Sequence, residues 1–147
     1  MEKQTEASQT GREVFLDGKG MILGRASSQI AKRLLDGEKI HIVNSEQMII
    51  TGNPMATKEK YTARRRRGSV VSGPFFPIRP DLVVRRTIRG MLPYKTNKGR
   101  AAFKNLRVHI GVPGGINISE KSEPAKIKTR YITVGKLSES LGWDKKK

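Results

Sequence analysis

The sequence predicts an α/β domain with a mostly parallel central sheet. Short apolar runs rich in β-branched residues, such as Ile40–Val43, are typical of strands that are buried on both faces. Between these runs, apolar residues recur at spacings of three and four, the period of one helix face. The two kinds of segment alternate along the 147 residues, and this order indicates parallel strands joined by helices.

The first half of the chain is expected to contain three strands and two helices. Gly37 can close the first helix, because glycine readily adopts the left-handed conformation that follows many helix C-termini. Asn53 and Pro54 are a favourable start for the second helix, with asparagine as the N-cap and proline in the first turn. The expected strands are 14–16, 40–43 and 48–51, and the expected helices are about 25–36 and 54–67.

The second half is expected to contain three more helices and one strand. Val84, Ile88 and Met91 would share the apolar side of the first of these helices. Strand 106–110 is indicated by apolar residues that alternate with polar ones. The expected elements are a helix from Pro80 to Pro93, a short helix near 101–103, strand 106–110, an extended linker at 114–128, and a last helix capped by Thr133 and ending at Leu141.

These elements make one domain with appendages. Residues 1–12 are polar and are expected to form a flexible N-terminal arm. Residues 13–113 form the α/β domain that we expect to bind the partner. Residues 114–147 add a linker, the short C-terminal helix and a basic tail to the same domain.

Composition excludes several classes of protein. The chain has no cysteine, which rules out disulfide scaffolds, thiolate metal sites and cysteine nucleophiles. No apolar run approaches the roughly 18 residues of a membrane-spanning helix, and the N-terminus lacks the apolar core of a signal peptide. We therefore expect a cytoplasmic protein without a membrane partner.

The positive charge of the chain is concentrated in its middle third. The whole sequence has 30 Lys and Arg residues against 13 Asp and Glu, a formal net charge of +17. Residues 58–107 hold 15 basic and two acidic residues, a net charge of +13. Like charges at this density repel one another, and a polyanionic partner relieves that repulsion.

The basic residues of this third favour nucleic acid as the partner. The run Arg64–Arg67 alone could be a solvated face or a localisation signal, but it is accompanied by many further Arg and Lys residues. Arginine predominates, and its planar guanidinium binds phosphate in two places. Aromatic residues are only 5% of the chain, which argues against a base-stacking platform for single strands. Structured RNA, recognised through its backbone and shape, fits best.

Two alternative functions stay open at this point. The turn Gly18–Gly24 lies between a strand and a helix, as a dinucleotide-binding turn does, but its G-x-G-x-x-x-G spacing is one residue too long. A small nucleotide-binding enzyme is one alternative, and a non-specific DNA-binding protein is the other. His41 and His109 lie in expected strands, where packed histidines are commoner than catalytic ones. Without paired acid–base groups, we expect no catalytic residue, no metal site, no cofactor and no small-molecule substrate.

Two long segments resemble a known family. Residues 23–52 and 88–113 are similar to the L-thirteen family of large-subunit ribosomal proteins, and the stretch Arg89–Pro93 is the most specific signal. The closing Leu141–Trp143 is similar as well. Val112–Gly115 and the lack of a long C-terminal extension indicate the archaeal branch.

The resemblance implies a three-layer α/β/α domain with a structural role on large-subunit rRNA. It implies early participation in subunit assembly, contacts with neighbouring large-subunit ribosomal proteins, and neither enzymatic activity nor a cofactor. An obligate homo-oligomer is not expected. Gly90 would permit close approach of the RNA. Matching positions and charge together indicate these RNA-binding residues: Lys58, Lys60, Tyr61, Arg64, Arg65, Arg66, Arg67, Arg85, Arg86, Arg89, Gly90, Lys95, Lys98 and Arg100.

Overall fold

The computed structural model describes residues 13–121 and 126–144. The predicted N-terminal arm, the basic tail 145–147 and linker residues 122–125 lie outside the described residues. The elements are β1 (Glu13–Asp17), α1 (Leu23–Leu35), β2 (Lys39–Val43), a 3-10 turn (Ser45–Gln47), β3 (Ile49–Thr51), α2 (Pro54–Arg66), α3 (Pro80–Met91), α4 (Asn97–Lys104), β4 (Leu106–Val108), β5 (Tyr131–Thr133) and α5 (Val134–Ser140).

The main sheet consists of three parallel strands in the order β1-β2-β4. Ile40 of the central strand lies opposite Val14 on one side and Leu106 on the other. Parallel neighbours require a crossover, and α1 supplies it between β1 and β2, while α2, α3 and α4 lie between β2 and β4 in the chain. The predicted α/β class and the mostly parallel sheet are confirmed.

One face of this sheet carries the hydrophobic core. Every second strand residue, for example Leu16 and Ile42, is buried against the apolar stripes of α1 and α3, which pack on each other. Full burial of a side chain of this size stabilises the fold by about 1.5–3 kcal/mol. The opposite face carries Phe15 and His41, which are only partly buried. The core therefore fixes α3 and leaves its remaining sides free for other contacts.

One residue of the predicted core is placed differently. Met91 was expected on the apolar side of α3, yet it is 43% exposed. The helix ends at Met91, and extended backbone at Leu92 turns the chain, so that Leu92 enters the core instead. Val83 joins Val84 and Ile88 in the buried stripe.

A second, smaller sheet was not predicted. β3 pairs with β5 in antiparallel fashion, with Ile50 opposite Ile132, so β3 is not a strand of the main sheet. β5 leads directly into α5, whose N-cap Thr133 accepts a hydrogen bond from the Lys136 backbone N–H at 3.4 Å. Ile132 packs with Leu137 and Leu141 in a small cluster of its own.

The predicted linker is partly attached to the core. Glu120 forms a parallel bridge with Leu16 of β1, and the Asp17 backbone N–H donates to the Glu120 carbonyl at 3.1 Å. The Glu120 carboxylate also binds the guanidinium of Arg33 with two hydrogen bonds, of 2.9 and 3.0 Å. These contacts hold the chain along the edge of the sheet.

Candidate nucleic-acid interface

Helix α2 carries the first group of predicted RNA-binding residues. Its N-terminus is capped as expected, because Asn53 Oδ1 accepts a hydrogen bond from the Met55 backbone N–H at 3.0 Å. No described side chain of α2 is fully buried, so this helix adds little to the core. Tyr61 contributes most: it is half-buried and packs against both the main core and the small cluster of Ile132, Leu137 and Leu141. A helix that is polar on nearly all sides is available to a partner.

Two arginines from different helices meet around one pair of rings. The guanidinium of Arg64 lies 5.5 Å from the Tyr61 ring centre, and that of Arg86 lies 4.9 Å from the Phe76 ring centre. The two rings contact each other edge to face at 5.5 Å. Arg86 also donates to the Phe75 carbonyl at 3.1 Å. This arrangement joins α2 to α3 on the surface.

A second ring pair holds the other two arginines of α3. Arg85 lies 4.7 Å from the centre of the Phe103 ring, and Arg89 lies 4.8 Å from that of Tyr94. Tyr94 and Phe103 contact each other edge to face at 5.4 Å. Phe103 belongs to α4, so this cluster joins α3 to α4. We call the four arginines and four rings of both clusters the stacked-arginine surface.

Stacking prepares a guanidinium for binding phosphate. The guanidinium carbon lies over the ring, and the N–H groups of a guanidinium extend in its own plane, where they can donate to a phosphate. An arginine side chain carries about 2 kcal/mol of rotamer entropy, and holding it on a ring removes part of that cost before binding.

A shallow cavity lies where the first cluster meets the following loop. It has a volume of about 260 Å³ and is lined by Arg64, Arg67, Pro74, Phe76 and Arg86. Three of these five residues are arginines: Arg64 lies on α2, Arg67 directly follows α2, and Arg86 lies on α3. Arg64 and Arg86 belong to the stacked-arginine surface. Three positive charges around one cavity favour an anion there.

The remaining predicted residues are less uniform. Arg65 donates to the Leu141 carbonyl at the end of α5, so it also ties α2 to the C-terminal helix. Arg100 donates to Asn97 Oδ1 at 2.6 Å within α4. Six further predicted residues are exposed or half-exposed and belong to neither ring cluster; they are Lys58, Lys60, Arg66, Arg67, Lys95 and Lys98.

Gly90 and Gly99 lie near the predicted RNA-binding residues, and the space around the two glycines differs. A Cβ on Gly99 would collide with the Pro93 carbonyl, so local packing excludes any side chain there. A Cβ on Gly90 would meet no atom of the described residues within 4 Å, although glycine weakens a helix. Folding therefore does not explain Gly90, and the expectation that it allows close approach of RNA stays a prediction.

Sequence reasoning missed Phe76, Tyr94 and Phe103 as members of this surface. The spacing of three between Tyr61 and Arg64 is visible in the sequence and is compatible with stacking on a helix. The other pairs join α3 to residues 5 to 18 positions away, across turns whose geometry the sequence pattern does not specify.

The hydroxyl of Tyr61 remains neutral at physiological pH. Burial raises its pKa above the ordinary value of 10.0, and the nearby positive charge of Arg64 only partly opposes this. Tyr61 therefore brings no negative charge to the surface and acts as an apolar support for the arginine.

The first residues of the turn Gly18–Gly24 are held by hydrogen bonds within the protein. The Gly18 backbone N–H donates to the Val43 carbonyl at 2.9 Å, and that of Gly20 donates to the Gln47 carbonyl at 3.3 Å. The Asp17 carboxylate at the same turn accepts from the Lys19 backbone N–H and from Asn44. The backbone amides of Gly18, Lys19 and Gly20 are thus engaged within the protein, and the negative charge of Asp17 at the same turn disfavours a pyrophosphate there.

His41 and His109 lie together on the outer face of the sheet. Their rings stack at 5.6 Å, with Nδ1 of His41 3.4 Å from Nε2 of His109. Burial, and then the neighbouring His109, lower the pKa of His41 below 6.5.

Within the described residues, no group of three or more His, Asp or Glu side chains is placed to hold a metal ion. No helix in that same part of the chain is long and apolar enough to cross a membrane.

Comparison with known proteins agrees with the sequence resemblance. The family model for ribosomal protein L13 matches residues 12–114. The large ribosomal subunit protein uL13 of Methanocaldococcus jannaschii is 47% identical over 131 residues, which cover 86% of this chain and 96% of that protein. Its counterpart in Methanopyrus kandleri is 43% identical over 137 residues, which cover 87% of this chain and 86% of that protein. The counterpart in Methanosarcina barkeri is 43% identical over 134 residues, which cover 86% of this chain and 96% of that protein. The predicted family and archaeal-type branch are confirmed, and so is the expectation of a structural protein and not an enzyme. The chain belongs to the ribosomal protein L13 family.

Proposed function

We propose that this protein is a structural constituent of the large ribosomal subunit, where it binds and clamps large-subunit rRNA through the basic residues of its middle third. The stacked-arginine surface is the observation that supports this most directly. Four arginines on two helices are held on rings, and two of the four also line one cavity. Membership of a ribosomal protein family supports rRNA as the polyanion that this surface would bind.

The clamp would work by rigid presentation of charge. Core residues such as Val84 and Ile88 fix α3 against α1, and the ring pairs connect α3 to α2 and α4. The guanidiniums on α2 and α3 can then bind phosphates of separate RNA segments at once. Neutralising those phosphates removes the repulsion between the segments and holds them together.

The same arrangement supports a role in assembly. A protein that holds separate rRNA segments together would act early, before other contacts form, and would support translation as part of the cytoplasmic ribosome. Neighbouring large-subunit ribosomal proteins are the other expected partners. The proposal requires no membrane, no cofactor, no small-molecule substrate and no obligate homo-oligomer.

Salt dependence of binding tests the proposal. With protein-free archaeal large-subunit rRNA in a filter-binding assay, about eight neutralised phosphates would give a slope of about −7 for log K against log salt concentration. Binding should also resist competition by random duplex DNA. A slope near zero would contradict the clamp, and equal competition by DNA would favour the non-specific DNA-binding alternative.

A further inference from the structure

An apolar loop tip projects from the basic surface between α2 and α3. Val70 and Val71 are 94% and 90% exposed, and Phe75 in the same loop is 68% exposed. Two adjacent valines with almost complete contact with water stabilise nothing in the isolated chain. Exposed apolar patches of this kind mark surfaces that a partner covers.

The tip has a defined backbone conformation. Ser69 and Gly73 pair through two hydrogen bonds, of 3.1 Å from the Ser69 N–H and 2.9 Å from the Gly73 N–H. The Val71 N–H donates to the Ser69 hydroxyl at 3.3 Å. These bonds close a five-residue turn and present both valines at its end. A partner would meet a shaped projection and would not need to order it first.

Gly68 is required for this shape. Its φ of +99° lies in the left-handed region, and a Cβ there would collide with the backbone of Gly73 and the ring of Pro74. The two ends of the loop therefore touch, which places the tip close to the end of α2. A side chain at Gly68 would displace the tip without altering the valines.

The surroundings of the tip are cationic. Arg64–Arg67 precede it, and Arg64, Arg67 and Arg86 line the cavity at its base. The sequence has no carboxylate between Glu59 and Asp81. An apolar projection beside several guanidiniums fits a partner that offers phosphates next to an apolar surface. Nucleic acid has this combination, since the faces of its bases and its sugars lie between phosphate strands.

We propose that Val70 and Val71 form an apolar wedge that contacts bases or sugars of the rRNA, while the flanking arginines bind the adjacent phosphates. The inference rests on the proposed function and adds to it a contact that does not depend on charge. Apolar side chains that enter a groove or separate neighbouring bases are a known means of recognising nucleic acid shape.

The test compares the double variant Val70→Ser, Val71→Ser with Val112→Ser, which changes a valine that is 47% exposed outside the loop. Affinity for protein-free archaeal large-subunit rRNA should fall about tenfold in the double variant, because two apolar contacts are lost. The salt slope should stay unchanged, because no charge is removed. Val112→Ser should bind like the wild type, and circular dichroism should show that all variants fold.

A second variant tests the geometry of the wedge. Gly68→Ala keeps both valines but displaces them, and it should also weaken binding at an unchanged slope. Wild-type affinity of the double variant for protein-free rRNA would overturn the inference. The same holds if the double variant loses only incorporation into large subunits, since the tip would then contact a protein. If the wild-type chain itself binds rRNA without salt dependence, the proposed function fails first, and the wedge fails with it.

Discussion

At the scale of single residues, each arginine of the stacked-arginine surface depends on a ring beneath it. Arg89 lies 4.8 Å from the centre of the Tyr94 ring, and Tyr94 is itself 39% exposed. A cation on a ring at such a site gains about 0.5–1 kcal/mol. The uncharged Tyr94 ring thus helps to position the positive charge of Arg89.

Replacing Tyr94 by leucine should weaken rRNA binding about two- to fivefold, because Arg89 keeps its charge but loses its support. The slope of affinity against salt should change little. Tyr131→Leu is the matched control, since Tyr131 is 49% exposed on β5 and belongs to neither ring cluster. Equal affinities of Tyr94→Leu and the wild type in filter binding would show that the ring does not position the arginine for RNA.

At the scale of secondary-structure elements, α3 serves both the core and the surface. Val83, Val84 and Ile88 are buried, whereas Arg86 and Arg89 are exposed on the same helix. Its C-terminal turn contains Gly90, which neither packing nor backbone conformation requires. A glycine that weakens a helix and that packing does not require suggests that a bound partner needs the space beside it.

Replacing Gly90 by alanine should therefore separate stability from binding. The free energy of unfolding should rise by about 0.4–1 kcal/mol, because alanine reduces the conformational freedom of the unfolded chain. Affinity for rRNA should fall at least several-fold, because the added methyl group blocks close approach. Gly24→Ala in α1 is the control, since a Cβ there also meets no described atom within 4 Å. A Gly90→Ala variant that is more stable and binds normally would contradict a role for Gly90 in RNA contact.

The elements also show how far the sequence could be interpreted alone. Ile40–Val43 was predictable as a strand, because its apolar, β-branched run is typical of one, although His41 on the second face is only partly buried. Asn53 and Thr133 were predictable as caps, because capping depends on residues only two or three positions away. β5 was missed because three residues carry too little pattern, and its partner β3 lies about 80 positions earlier. Ring–arginine pairs such as Arg85 and Phe103 were missed for the same reason, since tertiary packing brings them together.

At the scale of the whole molecule, the location of the charge is more informative than its total. Residues 58–107 carry a net charge of +13 of the total of +17. The fold brings much of this segment to one connected surface, with α2, α3 and α4 joined through ring pairs. Outside it, cations such as Lys19, Arg25 and Lys32 are exposed but belong to a part of the chain with nearly balanced charge.

The most direct test of this account compares two triple variants that remove the same charge from different places. Arg85→Ala, Arg86→Ala, Arg89→Ala should make the slope of log K against log salt concentration less steep by about 2.7, with about 0.9 for each lost phosphate contact. Lys19→Ala, Arg25→Ala, Lys32→Ala should leave the slope close to that of the wild type. Circular dichroism must show that both variants fold. Equal changes of slope in the two variants would contradict the claim that the stacked-arginine surface holds the rRNA, because binding would then depend on total charge alone.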